Sequence, residues 1–410
     1  MMFFRWLRSP TLRNACTLRK HVRNLLAAQR DVLSPPAVAA LDRTVAEFDA
    51  VLHSGREDKA LLEEMQKFET AATKWIKPYP NANWRENVEV LLVAVGVAMA
   101  VRTFFIQPFK IPTGSMQPTL FGVTSANLIA DQTLTIPTGW ERIKEWFQGV
   151  SYIHEVAPED GSLQLVQPPN NFYGRPQVVS APTKFLIFNI CQTYTLGNAS
   201  HTIWFPPDLG EAPFELRTPL DPDRVYHKGE DIIKLRVCAG DHLFVDRLTY
   251  NFRKPARGEI VVFETHGIKD PKMPQDEFYI KRLNVLPGER VQIGNDRHII
   301  INGHRLDKTT PHFENVYGFD PSQPPRESQF SGHVNGVVAQ QFNLYPNLAP
   351  LFPDQDTVYT NGPDSYMVFG DNTCNSFDSR AWGTFPTRNV IGKSWLVYWP
   401  LTGRFGWGNR

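Results

Sequence analysis

The stretch from Val88 to Leu120, VEVLLVAVGVAMAVRTFFIQPFKIPTGSMQPTL, decides the fold. It begins apolar and ends with a serine in a glycine-preceded turn. Val90 to Val101 carries no charge, Glu89 and Arg102 bracket it, and Thr103, Phe104, Phe105 and Ile106 extend it. A helix rises about 1.5 Å per residue, and a membrane span takes about 20 mostly apolar residues. Asn87 to Ile106 is just long enough when Glu89 and Arg102 snorkel to the two faces. A buried core helix is the competing reading, because the uncharged run alone is short. The absence of polar positions at helical period favours the membrane. Pro108 and Pro112 then stop the helix and impose extended backbone. Gly114 lets the chain turn sharply and leaves the Ser115 hydroxyl exposed. Such a serine is by itself an ordinary turn residue, and a nucleophile needs a base elsewhere in the chain.

At 410 residues the chain can hold two or three domains. Its 43 basic and 42 acidic residues leave a net charge of +1, which gives no global attraction to nucleic acid. Thirty-three prolines and many aromatics suit short strands and turns rather than a helical bundle. Cys16, Cys191, Cys238 and Cys374 lie far apart without metal-ligand spacing. Cys16 falls on the other side of the span from the rest. The outer side then holds at most one disulfide and one free thiol.

N-terminal to the span, Met1 to Arg30 is rich in arginine and lacks the apolar core of a secretory signal. It reads as an amphipathic helix on the membrane surface or as a solvated basic tail; an Arg-rich, acid-poor start also suits a transit peptide. Ser34-Pro35-Pro36 opens a helix, with Leu41, Val45, Phe48 and Leu52 at helical spacing. Ser54-Gly55 interrupts the pattern. Leu61, Met65, Phe68, Ala72 and Trp75 mark a second helix, ending near Pro78 and Pro80. Together they predict a helical hairpin. Lys74, Lys77 and Arg85 flank the span on this side, against Lys110 alone on the other before Glu141. The positive-inside rule places residues 1–86 in the cytoplasm and the C-terminal portion outside.

Beyond the serine, Trp140 to Phe147 has the pattern of a short amphipathic helix, and Phe185 to Ile190 that of a buried strand. From Gly240 onward, runs of β-branched and aromatic residues alternate with Gly/Pro turns: Leu243–Val245, Ile260–Phe263, Phe278–Leu283, Tyr366–Phe369 and Trp395–Trp399. This predicts an antiparallel β core. Asn302-Gly303 marks a tight hairpin turn.

Four ordered segments carry a resemblance. They are IPTGSMQPTL after the span, GDHLFVDRLTYNFRKPARGEIVVFE (Gly240–Glu264), FYIKRLNVLPGERV (Phe278–Val291) and GDNTCNSFDSRAWG (Gly370–Gly383). Together they resemble the boxes of bacterial type I signal peptidases (leader peptidases), and cover about a third of the chain. The implied fold is mainly β. It comprises a cytoplasmic helical segment (1–86), one transmembrane helix (87–106) and an extracytoplasmic β-rich catalytic domain (107–410). Insertions fall at about 121–235 and 306–363, larger than a minimal member needs.

The resemblance also implies the chemistry. Ser115 matches the nucleophile and Lys281 the general base. Lys281 lies in an apolar strand, where burial disfavours the ammonium and a neutral amine can take a proton. Arg282 is its permanently charged neighbour. The Ser115 N–H and the Thr113 hydroxyl are the expected oxyanion donors. Ser376 is expected to orient the lysine amine, and Asp378 and Arg380 to form a supporting ion pair. Met116 is a candidate for the substrate pockets. Thr373-Cys374 departs from the usual Arg followed by a polar residue, which alters the local hydrogen bonding. His242 follows the Gly-Asp of its box, where the family has no catalytic residue, and is the reserve base. The implied activity is a serine endopeptidase that removes signal peptides from exported preproteins at small-x-small sites. Its partners are preprotein signal peptides and the lipid bilayer, its location the inner membrane, and no metal or cofactor is implied. The alternatives are a self-cleaving Ser–Lys protease of the repressor type, against which the span and later boxes argue, and an inactive membrane-anchored scaffold with the same fold.

Overall fold

The structure is a computed structural model that describes residues 9–54, 57–77, 81–130, 135–166, 171–172, 175–186, 188–210, 213–345 and 347–407. Arg5, Arg8, Gly55, Pro78 and Pro80, used in the sequence reading, lie outside the described residues. The chain forms two compact units, Met1–Val97 and Ala98–Arg410.

The first unit is built from α1 (Pro10–Gln29), α2 (Pro35–His53), α3 (Asp58–Thr73) and most of α4 (Ala82–Phe104). Ser9 caps α1, its hydroxyl accepting from the Leu12 N–H at 3.1 Å, with Pro10 at the first helical position. The expected hairpin of α2 and α3 is present, with Phe48 stacked on Phe68 at 4.1 Å between ring centroids. Residues 10–29 are neither a surface helix nor a solvated tail. Leu12, Ala15, Val22 and Leu26 are buried against Leu41, Val45, Phe48, Leu61 and Phe68, so a third helix completes the bundle. The buried Gln29 amide secures the closure, donating to the Lys77 carbonyl at 2.8 Å and accepting from the Lys77 N–H at 3.1 Å. Within α4, Trp84–Phe104 is long and apolar enough to cross a membrane, and none of its most apolar window is buried.

The second unit is organised by an eight-stranded, curled antiparallel sheet. Its main strands are β1 (Ile106–Lys110), β2 (His242–Asp246), β3 (Ile260–Glu264), β4 (Phe278–Val285), β5 (Ser365–Phe369) and β6 (Val390–Trp399), in the spatial order β1-β2-β6-β3-β4-β5. Each of the apolar runs read from Gly240 onward is one of these strands. One face packs Ile111, Met116, Leu120, Leu243, Val245, Ile260 and Val262 into a core. Asn302-Gly303 turns with both φ positive, 51° and 85°, joining Ile299–Ile301 to His304–Arg305.

The segment between β1 and β2 has a core of its own, with Ile153, Leu163, Tyr194, Leu196, Phe214, Tyr226, Leu235 and Val237 buried together. Gly139–Phe147 forms α5, as expected. Phe185 to Ile190 is not one buried strand. Strands Thr183–Phe185 and Phe188–Leu196 form a hairpin, and Phe185 and Leu186 are exposed at its tip, Leu186 with a positive φ of 54°.

Candidate active site

The turn that carries Ser115 is fixed from three sides. Past Lys110 the chain leaves β1 and returns between Ile111 and Val123. The Ile111 N–H donates to the Asp241 carbonyl at 2.9 Å, and the Phe121 N–H to the Asp241 carboxylate at 2.7 Å. Gly240 is required there, since a Cβ would fall 1.9 Å from the Ile111 carbonyl oxygen. Asp241 is wholly buried, and Arg404 donates to its carboxylate at 3.0 Å. The Gly-Asp of the second box thus holds the serine loop.

Lys281 sits on β4, opposite Val261 of β3. Strand alternation sends Lys281 and Arg282 to opposite faces. Lys281 is buried, and its Nζ donates to Ser115 Oγ at 2.7 Å and to the Ile280 carbonyl at 3.2 Å. The two residues are 166 positions apart. Ser115 is itself nearly closed off from solvent. Among the described residues, nothing accepts from its N–H.

Arg282 serves a second cluster. It donates to Asp371 through Nε at 2.8 Å and through a terminal nitrogen at 2.5 Å, and to the carbonyls of Gly258 and His312 at 2.8 and 2.9 Å. Both members of the pair are buried. Thr119 adds a hydroxyl to the same carboxylate, which joins the serine loop to β4. A bidentate, fully partnered arrangement is what a buried arginine requires.

Asn372 completes the clamp, and the sequence reading passed over it. Its N–H donates to the Ser115 carbonyl at 3.1 Å and its side-chain amide to the Gly114 carbonyl at 3.0 Å. Gly370 beside it leaves room for this approach. A Cβ there would lie 2.4 Å from the Ser115 carbonyl oxygen and 2.2 Å from Ser376 Oγ. Gly370-Asp371-Asn372 opens the last of the four boxes, and the buried arginine on β4 demands the buried carboxylate that this run supplies.

Asp378 and Arg380 form a wholly buried bidentate pair, with both contacts at 2.9 Å. Asp378 also accepts from the Gly370 N–H at 2.9 Å. The arginine holds the Asp378 carboxyl below the usual carboxylate range, against the opposing effect of its burial. Thr373 fits this network, its hydroxyl accepting from the Arg380 guanidinium at 2.8 Å and from the Val334 N–H at 2.9 Å. Cys374 is buried, which raises its thiol to about 11, and all four cysteines are free.

One expectation is corrected, the reserve base lies elsewhere in the sheet, and one expected hydrogen bond is not formed. Met116 is fully buried among Leu120, Leu243 and Val262, so it belongs to the core and lines no surface open to a peptide. His242 lies against Trp399, ring centroids 4.8 Å apart, away from the Ser115–Lys281 pair; burial and Lys110 push its pKa down. Ser376 is buried beside Gly370, but its Oγ has no hydrogen-bond partner among the described residues, so the bond to the lysine amine is not made here. Thr113 is half-buried, and its backbone lies against Gly122, where a Cβ would fall 2.1 Å away.

The curled antiparallel sheet thus presents a buried lysine to a serine on a clamped turn. The family described as signal peptidase, peptidase S26 matches residues 84–133 and 234–399, more than half the chain. The chain belongs to this signal peptidase family. Residues 134–233 fall outside the match, while the irregular stretch 306–363 falls inside it. The chain is similar to the signal peptidase I of Leptolyngbya laminosa, with 30% identity over 39% of this chain and 61% of that one. It is similar to the probable signal peptidase I-2 of Synechocystis, with 28% identity over 39% and 56%. The match therefore spans less than two thirds of either relative. A solved signal peptidase I from Enterococcus faecalis is 25% identical over 34% of this chain and 97% of that one, with a TM-score of 0.20.

Proposed function

We propose that this chain is a membrane-anchored serine endopeptidase that removes N-terminal signal peptides from exported preproteins, cutting after small-x-small sites such as Ala-x-Ala. The observation that carries the reading is the 2.7 Å contact between Lys281 Nζ and Ser115 Oγ within a member of the signal peptidase family. In the proposed reaction Ser115 Oγ attacks the scissile carbonyl carbon and its proton passes to Lys281 Nζ. Burial favours the neutral amine that this step needs. The Ser115 N–H and the Thr113 hydroxyl receive the developing oxyanion. Lys281 then protonates the leaving amine, and the acyl-enzyme on Ser115 is released by a water that the same amine deprotonates. Asn372, Asp371 and Arg282 hold the serine turn. Asp378 and Arg380 hold the loop behind it.

In this reading residues 87–106 span the inner membrane, residues 1–86 stay in the cytoplasm and residues 107–410 work outside. The exposed, apolar Trp84–Phe104 helix supports it. The test is a preprotein with one Ala-x-Ala site, incubated with the full chain in detergent, and the product's new N-terminus read by mass spectrometry. One cut after the second alanine is expected, absent in Ser115→Ala. Inertness of the unsubstituted chain on several such preproteins would favour the scaffold.

A further inference from the structure

We propose that the segment inserted between β1 and β2 carries a second membrane contact: the apolar side of α5, together with Trp204 and Phe205, rests on the lipid bilayer. The inference extends the anchored reading above and rests on it for the span.

None of the nine residues of α5 is buried. Trp140, Ile143, Trp146 and Phe147 are 75%, 47%, 55% and 48% exposed. At helical spacing they share about a third of the circumference, and Glu141, Arg142 and Glu145 take the remainder. Of the polar side, Glu145 alone turns onto the protein, while Glu141 and Lys144 stay in solvent. The Tyr152 hydroxyl donates to Glu145 at 2.5 Å, and the Leu401 N–H closes the helix end by donating to the Phe147 carbonyl at 3.0 Å. The apolar side is therefore not used for internal packing. Arg142 lines a cleft with Trp204 and Phe205, which are 66% and 71% exposed. At the neighbouring hairpin tip Leu186 is 80% exposed. Exposed apolar residues thus stand on three separate elements of the inserted segment.

The chain itself indicates the bilayer as occupant. From Phe104, the last residue of α4, to Lys110, the end of β1, is six residues, at most about 20 Å. Lys110 is ion-paired to Asp208, three residues past Phe205. The chain beside Phe205 is consequently tethered near the end of the apolar helix. The composition of these exposed residues agrees, with tryptophan and phenylalanine beside Arg142 and Lys144, the mixture that settles at headgroup level.

The test uses the full chain in vesicles of phosphatidylcholine and phosphatidylglycerol, with Cys16, Cys191 and Cys238 changed to serine. A nitroxide is attached at Ile143→Cys or, on the polar side, at Glu141→Cys. Collision with oxygen and with a water-soluble nickel chelate is measured by paramagnetic resonance. The expected result is an Ile143→Cys probe that favours oxygen and a Glu141→Cys probe that favours nickel. A probe at Ile143→Cys as open to nickel as that at Glu141→Cys would overturn the proposal. So would one shielded from both, which would indicate a second copy or a polypeptide as occupant. Trp140→Ser/Trp146→Ser should lower cleavage of a vesicle-inserted preprotein roughly tenfold, through loss of a second attachment, and leave cleavage of a short soluble peptide in detergent unchanged. Equal rates on the inserted preprotein would count against the contact. An unsubstituted chain inert on both substrates would instead fault the peptidase reading, and the nitroxide result would still decide the membrane face.

Discussion

The backbone N–H of Asn372 donates to the carbonyl of Ser115 at 3.1 Å, and its side-chain amide reaches the Gly114 carbonyl at 3.0 Å. One residue of the last box therefore sets where the serine hydroxyl sits. Asn372→Asp keeps the size but turns an acceptor towards the Gly114 carbonyl. We expect kcat for signal-peptide cleavage to fall about 10²-fold, as small misplacements of a reacting group do, with KM nearly unchanged. Steady-state kinetics on a peptide substrate checks this. An unchanged kcat would show that the turn holds without the clamp.

Gly370 makes a sharper steric prediction. A methyl group there meets the Ser115 carbonyl oxygen at 2.4 Å, a backbone atom that cannot swing aside. Gly370→Ala should lose most activity, and the added change Ser376→Ala should not restore it. Rescue by the double substitution would mean that the Ser376 hydroxyl alone was the obstacle.

Removing one member of the buried Asp378–Arg380 pair leaves the other without a counter-ion. Arg380→Met should cost about 3–5 kcal/mol of stability. Urea unfolding of the full chain in mild detergent, followed by tryptophan fluorescence, measures it. A cost below about 1 kcal/mol, the range of exposed pairs, would contradict the buried arrangement.

His333 gives a pH dependence. It is wholly buried beside Arg380, and burial above all pushes its pKa down to about 3. In the unfolded chain it takes a proton below about 6.5, while in the folded protein it does so only near 3. The unfolded state therefore binds more protons between these values. Stability should fall with acidification across this window, by about 1.4 kcal/mol per pH unit from this group. His333→Gln should flatten the decline. Parallel slopes for the two proteins between pH 6.5 and 4.5 would refute the assignment.

What could be read from the sequence followed local patterning. Alternating apolar strands, the Asn302-Gly303 turn and the apolar run of α4 each depend on a few consecutive residues. Ser115 and Lys281 stood out because the boxes around them resemble a known family. What escaped depends on long-range packing. The apolar spacing of α1 is the same whether a bilayer or a helical hairpin covers it, and only the bundle shows that Phe48 and Phe68 do. Met116 sits in a turn, where no period tells which way a side chain faces. Asn372 acts through contacts made more than 250 positions away. Phe185 to Ile190 has a strand's composition but turns at Leu186, so that Phe185 and Leu186 meet solvent instead of a core.

The central claim is that Lys281 takes the proton from Ser115. Its most direct test is the initial rate of Ala-x-Ala preprotein cleavage in detergent for the unsubstituted chain, Ser115→Ala and Lys281→Ala. The account predicts that the first cuts and that both variants fall by at least about 10³-fold, as loss of either half of a nucleophile–base pair does. A Lys281→Ala variant that still cuts within tenfold of the unsubstituted chain would contradict it, and would place the base elsewhere.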